Sequence, residues 1–292
     1  MRRVVARDRD HLNELMDKAF EKHGDDCDLN HIDVSRVEDF SDLFRGDFPN
    51  FMGDISKWDV SNATTMQTMF SSTDFNGDLS QWNVGKVTDM TGMFENSQFD
   101  GDISNWDVSS VVDMERMFDN AQFTGDISRW DVSQVYSMHN MFLSTSWNGD
   151  ISKWNVSRVR YMQFMFAGSS FQGDLSAWDV SSVENMNGMF ENAEFQGDIS
   201  RWNTAALRRA EGMFANNVQG LQGQGMSPWV IELLLEHDVL PQDSYWRALF
   251  QELLPMAKTL NLAIKGQAEM LWSKHTGAAR RHAAGLPLPA LD

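Results

Sequence analysis

Apolar residues recur along this chain with a period of 24 residues. Each period contains the phrase Gly-Asp-(Ile/Leu)-Ser-x-Trp, with an aromatic residue seven positions before the tryptophan and a Met-Phe pair after it. A unit this short cannot bury its own apolar side, so neighbouring copies must cover one another. The period therefore predicts a solenoid of about eight stacked coils with one continuous core. The tryptophans that define its structural repeat are Trp58, Trp82, Trp106, Trp130, Trp154, Trp178 and Trp202.

Within one coil, the pattern predicts a short strand and then a short helix. Ile103, Trp106 and Val108 have the spacing L-x-x-L-x-L, which favours a strand with these side chains turned inward. Apolar residues then recur at intervals of three and four through 111–118, as on one face of a helix. We expect the Gly-Asp pair at 101–102 to close the coil, with a positive φ at the glycine and a local backbone hydrogen bond from the aspartate.

The segments that flank the array have their own patterns. Residues 1–24 predict a short strand and a helix that ends at Gly24, and together these would form an N-terminal cap. The array itself covers residues 25–220, and its first coil is atypical, with Ile32 at the tryptophan position. The fold class is thus an α/β repeat solenoid with an N-terminal helical cap.

A glycine-rich run at 220–225 marks the end of the array. Residues 226–277 predict a C-terminal α-helical extension that either caps the last coil or binds a partner. Residues 278–292 predict a flexible tail. We expect truncation after Gly220 to expose the end of the stack.

The repeated phrase Phe-x-Gly-Asp-Ile-Ser-x-Trp-Asp-Val-Ser-x-Val-x-x-Met-x-x-Met-Phe resembles the BspA-like branch of the leucine-rich-repeat superfamily. The resemblance covers roughly residues 25–217. Members of that branch occur in many bacterial surface proteins and lipoproteins. The resemblance implies a leucine-rich-repeat-like solenoid used for adhesion or protein recognition, and it implies no reaction.

The charge of the chain is concentrated in the array. The formal net charge is −18, and the acidic residues of the array supply it. Such a surface disfavours nucleic-acid phosphates and anionic membranes, and it attracts basic partners. We therefore expect a protein partner of basic character, with no direct nucleic-acid binding and no membrane insertion. The alternative is that the acidity only keeps a repeat protein soluble.

We expect no classical signal peptide, because charged residues follow Met1 where an apolar run would stand. A lipobox cysteine and an apolar run long enough to span a bilayer are also absent from the sequence. We expect a cytoplasmic protein or one exported by a leaderless route. Cys27 is the single cysteine, which excludes an intramolecular disulfide and most zinc sites.

The sequence favours no enzyme, and we expect no catalytic residues, no cofactor and no metal. His237, His275 and His282 have no Ser or Cys partner in a recognisable motif. Aspartates recur once per coil from Asp54 to Asp198, which indicates turn chemistry more than calcium binding. The column that contains Asp59 and Asp107 is interpreted as a structural side-chain ladder along the stack.

Two groups of residues are candidates for partner binding. Aromatic and cationic residues replace the Thr, Asp, Glu, Asn or Gly of other copies in two consecutive coils, and clusters of this kind are typical of interface anchors. A second column varies along the strand side, as a recognition surface can. The partner-binding candidates are Tyr136, His139, Arg160, Tyr161 and Phe164 in the first group and Arg129, Lys153 and Arg201 in the second.

These observations favour a non-enzymatic protein-protein recognition module of bacterial or phage type. One alternative is an acidic DNA mimic that inhibits a nucleic-acid-binding protein. Another is a secreted effector with an activity in residues 226–292. A further reading of the first group of candidates is that the C-terminal segment folds back over them. The oligomeric state stays open.

Overall fold

The structure is a computed structural model that describes residues 3–45, 48, 50–199 and 201–217. The predictions for residues 226–277 and 278–292, and the truncation after Gly220, lie outside the described residues. Three regular elements open the chain: β1 (Val4–Val5), α1 (Arg9–His23) and β2 (Ile32–Asp33). β1 and β2 pair in parallel, with Val4 opposite Ile32.

Helix α1 lies over the first coil. The Asp8 side chain caps its start by accepting the His11 N–H at 2.9 Å, and Gly24 ends it with a φ of 74°. The apolar face of α1 is buried, and the Phe20 ring stacks on Phe48 at a centroid distance of 4.3 Å. The strand and the helix expected in residues 1–24 are therefore present, and the helix ends where the sequence indicates.

Equivalent positions of successive repeats lie side by side from Asp39 onward. The Met114 N–H donates to the Ser137 carbonyl at 3.1 Å, and the Tyr136 N–H donates to the Val112 carbonyl at 2.8 Å. Bonds of this kind join each repeat to the next, so the repeats stack in parallel. The isolated parallel bridges link, in order, Asp39, Thr65, Asp89, Asp113, Ser137, Tyr161, Asn185 and Arg209.

The segment 111–118, predicted as a short helix, is a run of turns, and that prediction was wrong. Arg116 and Asn120 adopt the left-handed conformation, with φ of 56° and 52°. The Arg116 N–H donates to the His139 carbonyl of the next repeat at 2.8 Å. A left-handed residue at every fourth position interrupts a right-handed helix, and N–H groups that bond between repeats cannot bond within one.

The strand predicted around Trp106 is likewise replaced by turns. The Trp106 N–H donates to the Ile103 carbonyl at 3.1 Å, which folds the chain back on itself. The inward register predicted for Ile103, Trp106 and Val108 is confirmed, because all three side chains are buried. Sequence periodicity thus identified the buried positions correctly and the backbone conformation incorrectly.

Aromatic columns fill the core of the stack. The Phe94 and Phe118 rings stack at 5.9 Å, and each also contacts the phenylalanine five residues later, as Phe94 does with Phe99 at 4.2 Å. The tryptophan column is held in addition by hydrogen bonds. The Trp106 Nε1–H donates to the Leu79 carbonyl of the preceding repeat at 3.0 Å. The same bond recurs at Trp58, Trp82, Trp130, Trp154, Trp178 and Trp202.

The sequence predicts that Gly101 is a glycine because its turn needs a positive φ, but the structure gives it a different role. It is not among the residues with a positive φ. A Cβ on Gly101 would lie 2.8 Å from the buried Phe99 ring, which packs directly over the glycine. The same contact occurs between Gly125 and Phe123. Close approach of the ring therefore explains this column of glycines, and the expectation of a left-handed turn was wrong.

The recurring aspartates hold local turns, as the sequence indicates. The Asp102 Oδ1 accepts the Ser104 N–H at 3.0 Å, and the Asp107 Oδ1 accepts the Ser109 N–H at 3.1 Å. Both bonds lie within one repeat, so the column that contains Asp59 and Asp107 is a set of Asx turns, and the side-chain ladder predicted for it was wrong. Hydrogen bonds from the serine backbone and hydroxyl lower the pKa of Asp102, and Asp126 and Asp150 show the same effect.

These lowered pKa values predict that the array loses stability in acid. A carboxylate whose folded pKa lies below its unfolded value of 3.8 stabilises the fold above that pH, and the contribution is lost as the pH falls through the folded pKa. Asp113 and Asp119 act in the opposite sense, because burial raises the pKa of each. We expect the lowered group to dominate, so that the urea midpoint falls when the pH is lowered from about 6 to about 3.

The control for this prediction is a variant that removes the charge and keeps the acceptor. In Asp102→Asn/Asp126→Asn/Asp150→Asn, the amide oxygen can still accept the serine N–H groups. The fall in the urea midpoint between neutral and acidic pH should be smaller in this variant than in the wild type. A fall of equal size in both proteins would assign the acid sensitivity to other groups.

Candidate partner-binding surface

One side of the stack carries the residues that flank the parallel bridges. We call this side the ladder face and define it by positions 112–116 and their equivalents 24 residues before and after. Its backbone is fixed by the bonds between repeats described above. Its outward side chains vary strongly from one repeat to the next, which distinguishes it from the buried columns.

Exposed apolar and aromatic side chains occur together in the middle of the ladder face. Tyr136 is 43 % exposed and Val112 is 45 % exposed, and the two are neighbours in adjacent repeats. The Tyr161 ring meets the Tyr136 ring edge to face, with centroids 5.4 Å apart and an interplanar angle of 78°. The two tyrosines predicted as partner-binding residues are thus in direct contact.

His139 and Phe164 extend this group along the same face. Their ring centroids lie 6.5 Å apart. Burial lowers the pKa of His139, with opposing contributions from nearby carboxylates, so the imidazole favours its neutral form. We call Val112, Tyr136, His139, Tyr161 and Phe164 together the aromatic patch.

Phe164 has a backbone conformation that bulky residues rarely adopt. Its φ is 52°, at a position where other repeats place Gly92 and Gly188. Its ring lies over the next repeat, because a Cβ on Gly188 would come within 2.2 Å of the Phe164 Cε1. A bulky side chain in the left-handed region costs energy, and such strain tends to persist at functional sites.

Arg160 is already engaged within the protein. Its guanidinium forms an ion pair with Glu184 at 2.5 Å, and Glu184 also pairs with Arg208 at 3.4 Å. The structure therefore places Arg160 beside the aromatic patch as part of a charged network. Its replacement would leave Glu184 with one guanidinium fewer, which makes Arg160 a poor single test of partner binding.

The second group of candidates lies elsewhere. Arg129 and Lys153 line a surface pocket together with Asp126, Ser128 and Asp150. Arg201 is exposed two repeats beyond Lys153. The structure does not bring these residues into contact with the aromatic patch, so the two groups are separate candidates.

Sequence reasoning missed Val112. The signal was present, because Thr64 and Thr88 occupy the two preceding positions of the same column and a valine there serves no buried role. An apolar residue in a column of outward, otherwise polar residues indicates a candidate binding residue.

The aromatic patch consists of ring and methyl groups with charged residues beside them. Among the described residues, no group of three or more His, Cys, Asp and Glu side chains is arranged to hold a metal ion. In the same part of the chain, every helix is too short or too polar to cross a bilayer. Aromatic rings, exposed methyl groups and flanking charges are the elements from which protein interfaces are built.

Comparison with known proteins gives a family match and no closer relative. The family described as "Mycoplasma protein of unknown function, DUF285" matches residues 14–127 and 119–229. No curated protein and no solved structure matches the chain significantly. The two family matches overlap and together run through the whole array.

Proposed function

The chain belongs to the DUF285 family, described as Mycoplasma protein of unknown function, and we propose that it is a non-enzymatic protein-recognition module. In this proposal, the repeats form a leucine-rich-repeat-like solenoid that presents one variable face to a protein partner. The BspA-like resemblance of the repeats supports this role, since adhesion and recognition are what that resemblance implies.

The observation that carries the proposal is the exposed aromatic patch. Val112 and Tyr136 expose more than two fifths of their surface, although the core beneath them is already filled by the methionine and phenylalanine columns. Aromatic side chains that are not needed for folding and lie close together are typical of binding hot spots. Polar residues such as Thr64 and Thr88 take the same column outside the patch, as expected for a polar rim.

The acidic alternative has a separate structural basis. The carboxylates of the Asx turns lie on the surface, and Asp102 and Asp150 are fully exposed to solvent. A row of exposed carboxylates is the feature a mimic of DNA would need. This reading predicts that binding depends on the aspartate columns and not on the aromatic patch, so one set of variants separates the two functions.

Removal of the two tyrosines should weaken partner capture strongly. The variant Tyr136→Thr/Tyr161→Asn installs residues that this chain already uses at the equivalent positions, Thr88 and Asn185. We expect it to fold normally and to bind the partner more weakly by about 2 kcal/mol or more, a loss typical of hot-spot tyrosines. The measurement is affinity capture from a lysate of the source organism, followed by calorimetry with the purified partner.

The matched control changes the second group of candidates. Arg129→Asn/Lys153→Gln places there the residues found at positions 105 and 81 of the same column. Capture should survive this change, because rim charges mostly tune the association rate. The DNA-mimic function predicts a different result. The captured partner would be a DNA-binding protein that duplex DNA displaces. Its capture would be lost in Asp59→Asn/Asp107→Asn/Asp131→Asn and retained in the variant without the two tyrosines.

A further inference from the structure

The charges on the two sides of the aromatic patch differ in sign. On the side toward the N-terminus, Asp89 and Asp113 are direct partners in a parallel bridge, and Glu115 follows two residues later. Like charges directly opposite each other on a sheet are destabilising. The neighbouring Ser137 adds no charge to this cluster, and its hydroxyl donates a hydrogen bond to the Glu115 carboxylate at 2.6 Å.

Among the described residues, these three carboxylates have no counter-ion, because no ion pair reaches Asp89, Asp113 or Glu115. The nearest cation along the chain, Arg116, forms ion pairs with Glu95 at 3.0 Å and with Asp119 at 3.2 Å. A negative charge therefore stays unmatched at this edge of the patch.

On the other side of the patch, the ladder face carries Arg160, Arg208 and Arg209 against Glu184 and Glu211, a formal net charge of +1. Arg160 and Arg208 share the single carboxylate of Glu184, and Arg209 lies at the last bridge position. The ladder face thus runs from negative to positive across the exposed rings. A bound partner gains most when its own charges run in the opposite order.

We propose that the aromatic patch receives an extended segment of a partner protein in which a cationic side chain lies about three residues from an apolar one. The proposal rests on the proposed function and specifies the chemistry of the partner. The cation lies over Asp89, Asp113 and Glu115, and the apolar side chain packs on Tyr136 and Tyr161. Asp113 and Tyr161 are two repeats apart, which corresponds to about 10 Å at the usual spacing of paired strands, or about three residues of extended chain.

Other occupants fit the surface less well. An acidic segment would meet the unmatched carboxylates on one side. A purely apolar segment would bury those carboxylates without a partner, which is costly. A segment with both groups gains on both sides, because its cation meets the carboxylates and its apolar side chain covers the aromatic rings.

The test is a selection of random peptides of about twelve residues, displayed on phage, against the full-length protein. Parallel selections use two variants. One is Tyr136→Thr/Tyr161→Asn. The other is Asp89→Asn/Asp113→Asn/Glu115→Gln, in which each new residue already occurs at the same repeat position, in Asn185 and Gln163. The amides keep the turn bonds, as Asn185 shows by accepting the Asn187 N–H at 3.0 Å.

We expect the wild-type selection to enrich sequences with Arg or Lys about three residues from an apolar residue. Synthetic fluorescent copies should bind at least about tenfold more weakly to each variant, and binding should weaken between about 50 mM and 500 mM NaCl. Enriched peptides that lack cations but still require the tyrosines would overturn this inference and leave the proposed function intact. Enrichment that no change in the patch affects would overturn both. Peptides that bind only after residues 278–292 are removed would assign the surface to that segment of the chain itself.

Discussion

Replacing Trp106 with alanine is expected to lower the free energy of unfolding by about 3–5 kcal/mol, the range for deletion of a large buried aromatic. The side chain is 4 % exposed, lies 6.3 Å from the Phe94 ring and donates its Nε1–H to the Leu79 carbonyl. The change removes packing in one repeat and leaves a buried acceptor in the preceding one. Chemical denaturation followed by tryptophan fluorescence and circular dichroism measures the loss.

The conservative change Trp106→Phe separates the two contributions. Phenylalanine keeps a six-membered ring but lacks the pyrrole part of the indole and its N–H donor. The expected loss is therefore smaller than for alanine, about 1–3 kcal/mol, with the unsatisfied buried acceptor as its main cause. A melting temperature of Trp106→Ala within a degree or two of wild type would show that the tryptophan column does not support the core. Equal losses in the two variants would assign the whole effect to the N–H donor and the pyrrole ring that phenylalanine lacks.

The sequence predicts the stacking register well because identical side chains must occupy identical sites. The phenylalanine, tryptophan and methionine columns recur every 24 residues, and the structure buries them in that register. The backbone between them was not predictable from apolar spacing alone. A run of turns with left-handed residues at Arg116 and Asn120 gives the same intervals of three and four as a helix does.

A signal for the true conformation was nevertheless in the sequence. The two left-handed columns are rich in the residues that tolerate this conformation, with Gly92 and Gly188 in one and Asn96 and Asn192 in the other. A helix has no reason to place Gly or Asn at every fourth position. Gly and Asn recurring in these two columns are typical of turn residues, and on that basis the sequence predicts turns in place of a helix.

The sequence predicts the aromatic residues of the candidate surface, but it does not predict the charged contacts around them. Tyr136, Tyr161 and Phe164 stand out as departures from their own columns. The engagement of Arg160 by Glu184 depends on residues 24 apart that lie in adjacent repeats, and the same holds for the contact between Asp89 and Asp113. Such pairs become visible once the register is known, because a column in the sequence is then a row of neighbours in space.

Replacing Gly101 with alanine is expected to destabilise the array by about 1–3 kcal/mol through overpacking. The added Cβ would lie 2.8 Å from both Cε2 and Cζ of Phe99. That ring is fully buried, with the Phe75 and Phe123 rings 6.5 Å away on either side. The ring cannot move aside without disturbing two neighbouring repeats, and the loss should appear as a lower urea midpoint.

A double-mutant cycle tests whether the destabilisation by Gly101→Ala comes from contact with the Phe99 ring. In a Phe99→Ala background, the cost of Gly101→Ala should shrink towards zero, because the atoms that clash are gone. Gly85→Ala is the matched control, since Ser109 and Ala205 take the equivalent position in other repeats, and we expect its effect to stay within about 0.5 kcal/mol. If Gly101→Ala proves as neutral as Gly85→Ala, the glycine column is not set by ring contact, and the stacked rings have more freedom than their spacing implies.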